Sequence, residues 1–272
     1  MTKPTVALQL YTVRDFAEKD LAGTLAKISA MGYEAVELAG MYGLKAVELK
    51  QMLDTAGLKA ISAHVPFSVL EADVAGTVAD YKTLGCKVVA IPHMSLEQLP
   101  GGVDFEKSKV VLEKAAKLCN EEGLVFGYHN HHFEFEKLPC GAFVLDALFN
   151  EFPAADLQAQ IDTGWVTVAG QDPVSYIGKY KGRCPAVHLK DVVRVDNEGK
   201  TVELLGSSSM LESGEKFEDR PVGQGIQNMP AVTKAAVEAG AFIFVVELDE
   251  AVGITSLDAA KESREYLKSI GY

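Results

Sequence analysis

Eight short apolar runs alternate with amphipathic stretches from one end of this chain to the other, and most runs close on a polar or ionisable residue. The runs cover residues 5–10, 33–38, 58–63, 86–91, 124–129, 156–161, 185–189 and 242–248. Their length and β-branched content mark buried parallel strands. The stretches between them, near 20–31, 44–56, 71–84, 105–122, 141–151, 172–180, 229–239 and 255–270, carry helical spacing. Gly32, Gly57, Gly85, Gly123 and Gly240 stand just before strands, where a left-handed cap closes a helix. Strict β/α alternation over 272 residues predicts an α/β fold, a (β/α)8 barrel forming one domain over 1–272. A doubly wound open sheet is the competing fold. No GxGxxG fingerprint follows the first strand to support it.

In a parallel barrel the strand C-termini share one face, and chemistry is done there. Asp162 follows the run Leu157–Ile161, His188 follows Pro185–Val187, and Glu247 follows Phe242–Val246. The fifth run continues into YHNHHFEFE, with His129, Asn130, His131, His132, Glu134 and Glu136. His64 and His93 close the third and fourth runs, so all six histidines fall at strand ends. Each has a plain reading. Asp162 serves equally as a helix cap, and a lone His188 as a satisfied core histidine. Glu247 is harder to dismiss, because a carboxylate among apolar neighbours needs a partner or a metal. Together they suit one divalent ion, Mn²⁺ or Mg²⁺ by their oxygen-rich donors, with Zn²⁺ or Co²⁺ as alternatives.

Further candidates line the same face. Gln9 and Tyr11 close the first run and Glu37 the second. Glu37 either orients a sugar hydroxyl or a histidine, or pairs with a lysine. Trp165, the single tryptophan, offers an aromatic face to a sugar or packs a helix into the rim. Lys190 and Asp191 each read as one half of a rim ion pair, with Lys190 also placed to steady a developing oxyanion. Residues 191–227 break the rhythm with few apolar and many Gly, Ser and charged residues. They read as a long lid after the seventh strand, mobile in its middle, with Arg220 reaching substrate or pairing with Glu218 or Asp219.

The formal net charge of −12 argues against nucleic acid as a partner. No apolar stretch reaches the roughly 18 to 20 residues of a membrane helix. No leader is expected ahead of the first strand, and Cys86, Cys119, Cys140 and Cys184 lack metal or redox spacing. A cytoplasmic protein with reduced cysteines is the expectation. Self-association into a homo-oligomer is left open.

The segments LQLYTVRD, GYHNHHFEF, IDTGW, HLKD, VGQGIQ and VVELD span nearly the whole chain. On them it resembles the xylose isomerase-like TIM barrel superfamily, the sugar phosphate isomerase/epimerase group. The resemblance implies a divalent ion held by Asp162, His188 and Glu247, with Glu134 as the strand-five ligand and His129 its alternative. It implies isomerisation or epimerisation of a small sugar, keto-sugar or polyol. The step is proton abstraction next to a carbonyl through a metal-stabilised enediolate, with Glu134, Glu247, His129, His131 and Lys190 as the acid–base and catalytic set. Gln9, Glu37, His64, His93, Trp165 and Arg220 are the expected substrate contacts. The alternatives are a lyase acting on a keto-inositol or 3-keto-glycoside, and a sugar-binding barrel without catalysis. An endonuclease-type phosphodiesterase is disfavoured by the charge and by too few paired histidines.

Overall fold

The computed structural model describes residues 3–196 and 216–272. Eight parallel strands close a barrel: β1 (Thr5–Gln9), β2 (Ala35–Leu38), β3 (Lys59–His64), β4 (Val88–Ile91), β5 (Val125–His129), β6 (Gln158–Asp162), β7 (Ala186–Leu189) and β10 (Ile243–Val246). Neighbours in space follow the chain, and β10 closes the ring between β7 and β1. Helices on the outside include Leu21–Ala30, Ala46–Ala56, Val74–Leu84, Phe105–Glu122, Val144–Asn150, Pro173–Lys179, Met229–Ala239 and Ser256–Ser269.

The local sequence explains the element ends. The Asp20 and Asp73 side chains each accept a backbone N–H in the first turn of the helix that follows. Gly57 and Gly123 end helices at φ of 74° and 70°, a conformation that costs a side-chain-bearing residue more than glycine.

Period-two alternation sorts each barrel strand into an outer and an inner face. Outward residues such as Leu8, Val36, Val89, Phe126, Ile161 and Val187 pack the strands onto the helices in one continuous core. Inward residues form a second, small apolar group: Ala7, Ala35, Val88, Ala90, Ala186, Ile243 and Val245. Two residues further along several strands the inward positions turn polar: Gln9, Glu37, His129, Asp162, His188 and Glu247, all buried. Apolar filling supports the barrel from below, and the polar layer above it is what the site is built on.

The long loop expected over 191–227 begins and continues in paired strand. Asp191–Val195 (β8) pairs antiparallel with Lys216–Arg220 (β9), from Asp191 opposite Arg220 to Val195 opposite Lys216. Val192, Val193 and Val195 are buried, so the hairpin gains apolar burial of about 1.5–3 kcal/mol per fully buried valine. The middle of the expected lid, 197–215, lies outside the described residues.

Candidate active site

Glu37 sits at the centre of the polar layer. One oxygen, Oε1, accepts from Gln9 Nε2 at 2.8 Å and lies 3.1 Å from His64 Nε2 and 2.8 Å from His188 Nε2. The other accepts from Ser62 Oγ at 2.5 Å and Gln160 Nε2 at 2.6 Å. Burial opposes its charge, but His64 and His188 and these hydrogen bonds win and bring its carboxyl down to about 2. Gln160 also faces His64 Nε2 at 2.7 Å. Four strands thus share one hydrogen-bonded floor, a placement that alternation with period two gives Gln9, Glu37, Ser62, His64 and Gln160 together.

Above this floor His129, Asp162, His188 and Glu247, all buried, each offer a donor atom within 4.8 Å of the others. His64, His129 and His188 make an overlapping group. Asp162 caps a helix with one oxygen and keeps the other free of that role. Oδ1 caps the helix Thr163–Val168 through Trp165 N at 2.8 Å, while Oδ2 has no hydrogen-bond partner among the described residues. His129 Nδ1 is likewise buried without a hydrogen-bond partner there. A buried polar atom left open in this way is costly unless something occupies the space beside it. Two imidazoles and two carboxylates fit a divalent ion of the zinc or manganese kind.

The strand-five donor in this group is His129. Glu134 stands outside it. A short turn over Phe133–Phe135 returns the Glu134 carboxylate to its own strand, where it accepts from Tyr128 Oη at 2.9 Å and from His131 N at 2.8 Å. Tyr128 Oη in turn accepts from Met94 N at 3.2 Å, tying the loops that carry His93 and His131.

Lys190 is 1 % exposed among carboxylates: Asp249 Oδ2 at 2.6 Å, Glu247 Oε2 at 3.5 Å and Asp162 Oδ2 at 3.7 Å. Burial disfavours its charge, yet these partners hold its pKa above the ordinary lysine value. His188 follows the same logic. Burial opposes protonation, but Glu37 and Glu247, the latter 2.8 Å from Nδ1, raise it to about 10. Glu247 is buried, and Lys190 and His188 keep its carboxyl well below the usual range. His129 is driven the other way, neutral by burial and by the histidines around it. Of the two residues read as members of rim ion pairs, Lys190 forms one, with Asp249. Asp191 turns instead to the backbone of the hairpin and the loop after it.

A cavity of about 430 Å³ opens over this cluster, lined by Tyr11, His64, Pro66, His93, His131, Glu247 and Asp249 among others. Trp165 stands beside it, 5.4 Å from the His131 ring, with Lys190 Nζ 4.9 Å from its own ring. Arg220 takes its plain reading, its Nη2 lying 3.0 Å from Glu218 Oε2 and its Nη1 donating to the Asp219 carbonyl. Gln9 and Glu37 lie in the floor rather than among the cavity-lining residues.

The family described as the xylose isomerase-like TIM barrel matches residues 25–270. The chain belongs to that family. Among curated relatives it is similar to inosose dehydratase of Bacillus thuringiensis (strain Al Hakam), 23% identical over 196 residues, 65% of each chain. The matched stretch thus spans just under two thirds of that relative's length. Among solved structures it is similar to a sugar phosphate isomerase/epimerase from Parabacteroides distasonis, with TM-score 0.76, 20% identity and coverage of 98% and 95% of the two chains. It is also similar to an IolI protein with a bound zinc atom, with TM-score 0.67, 16% identity and coverage of 98% and 97%. These xylose isomerase-like barrels share the fold with this chain.

Sequence reasoning missed Asp249 and Gln160. Asp249 lies two residues beyond Glu247, in register with it, and a period-two count carried past the strand end finds it. Gln160 precedes Asp162 by the same spacing and drew no notice because glutamine is not a metal ligand type.

Proposed function

We propose that this member of the xylose isomerase-like family is an enzyme acting on a small keto-sugar or polyol. It moves a proton on the carbon next to a carbonyl, giving isomerisation or epimerisation. The observation that carries the reading is the set of four buried donors, His129, Asp162, His188 and Glu247, converging under a cavity with Asp162 Oδ2 and His129 Nδ1 open. These residues would hold a divalent ion, which supplies Lewis-acid charge for a carbonyl oxygen and its enolate.

The chain's own groups do the rest. Glu37 and Gln160 fix His64 and His188 from below. Lys190 places a fixed positive charge beside Glu247 and Asp162, where negative charge develops on substrate oxygens. His131 lines the cavity with Nδ1 free of a partner among the described residues; burial and Lys190 lower its pKa to about 3, so it is a neutral base. Glu247, ionised and on the same cavity, is the second proton carrier. Glu134 acts through His131, whose backbone it holds.

A lyase reading has its own support. Carboxylate and imidazole are dissimilar carriers, suited to taking a proton from carbon and giving one to a leaving hydroxyl, and a curated relative is an inosose dehydratase. No helix among the described residues is long and apolar enough to cross a membrane, and we place the enzyme in the cytoplasm.

Elemental analysis of the purified protein, with incubation of keto-sugars and inososes in D2O, tests the proposal. Stoichiometric divalent metal and deuterium at the carbon next to the carbonyl are expected. A metal-free protein that exchanges no substrate, even after metal addition, removes it in favour of a binding barrel.

A further inference from the structure

Resting on that reading, we propose that the substrate is an uncharged, unphosphorylated sugar or polyol, because Asp191 fills with its own carboxylate the backbone cradle a phosphate would use. In β/α barrels phosphate is commonly bound by backbone N–H groups of the loops after the last strands. Here the loop over residues 221–228, ahead of the helix Met229–Ala239, folds back onto β8. Asp191 Oδ2 accepts from Gly223 N at 3.0 Å and Gly225 N at 2.9 Å, and Oδ1 from Val192 N at 3.1 Å and Gln227 N at 3.3 Å. Four main-chain donors close on one fully buried carboxylate. This is an anion nest with its anion built in. The approach is so close that a Cβ on Gly225 would stand 2.1 Å from Asp191 Oδ1.

The cations nearest the cavity are committed as well. Lys190 lies 2.6 Å from Asp249. Arg220 is paired with Glu218. Arg14 stacks 3.9 Å over the Tyr11 ring and gives its two terminal nitrogens to the carbonyls of Tyr11 and Asp249. The cavity wall meanwhile carries two carboxylates, Glu247 and Asp249, which repel a phosphate dianion. Beside the imidazoles of His64, His93, His129 and His131, the wall offers an apolar face: the Tyr11 ring, held in place by Arg14, with Pro66 and Pro92. Such a face suits the C–H side of a neutral sugar ring.

Matched pairs test this: D-fructose with D-fructose 6-phosphate, and D-xylulose with D-xylulose 5-phosphate, each followed for deuterium uptake from D2O by the protein as purified. In parallel, glycerol 3-phosphate, with glycerol as its neutral control, is titrated calorimetrically into the wild type and Asp191→Ala. We expect exchange of a free sugar at least about tenfold faster than of its phosphate. We also expect no saturable glycerol 3-phosphate binding to the wild type, and its appearance in Asp191→Ala once the nest is emptied. Faster exchange of a phosphorylated partner, or saturable glycerol 3-phosphate binding to the wild type, overturns the inference. If no sugar of either kind exchanges, the proposed reaction fails, and the calorimetric arm still decides the phosphate question. Should Asp191→Ala not fold, the wild-type arms decide it alone.

Discussion

Glu37 Oε1 lies 2.8 Å from His188 Nε2, so a carboxylate from β2 on one side of the barrel sets the ring that β7 contributes to the donor group on the other. Neither residue is exposed. Partners that orient a metal-binding histidine typically matter about 10- to 100-fold in metal affinity. Glu37→Gln is therefore expected to weaken divalent-ion binding by about that factor while far-ultraviolet circular dichroism stays native. Calorimetric titration of Zn²⁺ and Mn²⁺ into both proteins measures it. Unchanged affinity with a native fold means that Glu37 supports the barrel and not the centre.

The two strand-five candidates separate cleanly by mutation. His129 belongs to the donor group, and Glu134 is held by Tyr128 and the His131 backbone. His129→Ala is expected to abolish stoichiometric metal retention, whereas Glu134→Gln retains the ion. In Glu134→Gln turnover should still fall by about 10²-fold, the scale of losing a well-placed proton carrier, because His131 is no longer fixed. Elemental analysis of dialysed samples is the readout. Metal retained by His129→Ala and lost by Glu134→Gln reverses the assignment.

The barrel itself was legible, because its signals are local and periodic. Apolar runs end at Gln9, Glu37, His64, Asp162 and His188, and inward positions repeat every second residue, so strand ends and their polar tips follow from counting. Asp162, His188 and Glu247 were found this way, and all three lie in one donor group. What escaped the reading depends on where the chain goes after the strand. Glu134 lies beyond β5, and only the turn at Phe133–Phe135 decides that it points back to Tyr128 rather than to Asp162. The hairpin was hidden because its second strand, Lys216–Arg220, has one apolar residue, Phe217, and pairs through its backbone with a strand some twenty positions earlier. Asp191, beside Lys190 in sequence, invites an ion-pair reading. Its acceptors are needed instead by N–H groups up to thirty-six positions later.

Lys190 carries a stability prediction. It is nearly fully buried against Asp249, Glu247 and Asp162. Removing the one cation leaves carboxylates without compensation in a low-dielectric site, a change that typically costs about 3–5 kcal/mol. Urea unfolding of Lys190→Met should show a midpoint lowered in proportion, with the slope unchanged. Added Zn²⁺ should recover part of the loss by charging the same site with a cation. A midpoint equal to the wild type would show that the carboxylates are neutral or solvated without the lysine.

Glu134 gives the pH dependence. Burial raises its carboxyl from 4.5 to about 7, against hydrogen bonds from Tyr128 and His131 that lower it. The folded state therefore binds the proton more tightly than the unfolded chain. The stability this contributes is fully present below about 4.5 and is lost as pH rises through about 7. Glutamine at 134 keeps the neutral form at every pH. The stability of Glu134→Gln relative to the wild type should accordingly rise between these limits, by on the order of 1–3 kcal/mol, and level off above them. Paired urea titrations across the window, each in the presence of a chelator so that metal binding does not contribute, measure the difference directly. A difference that stays flat would mean that Glu134 is ionised in the folded protein throughout and that its hydrogen bonds outweigh its burial.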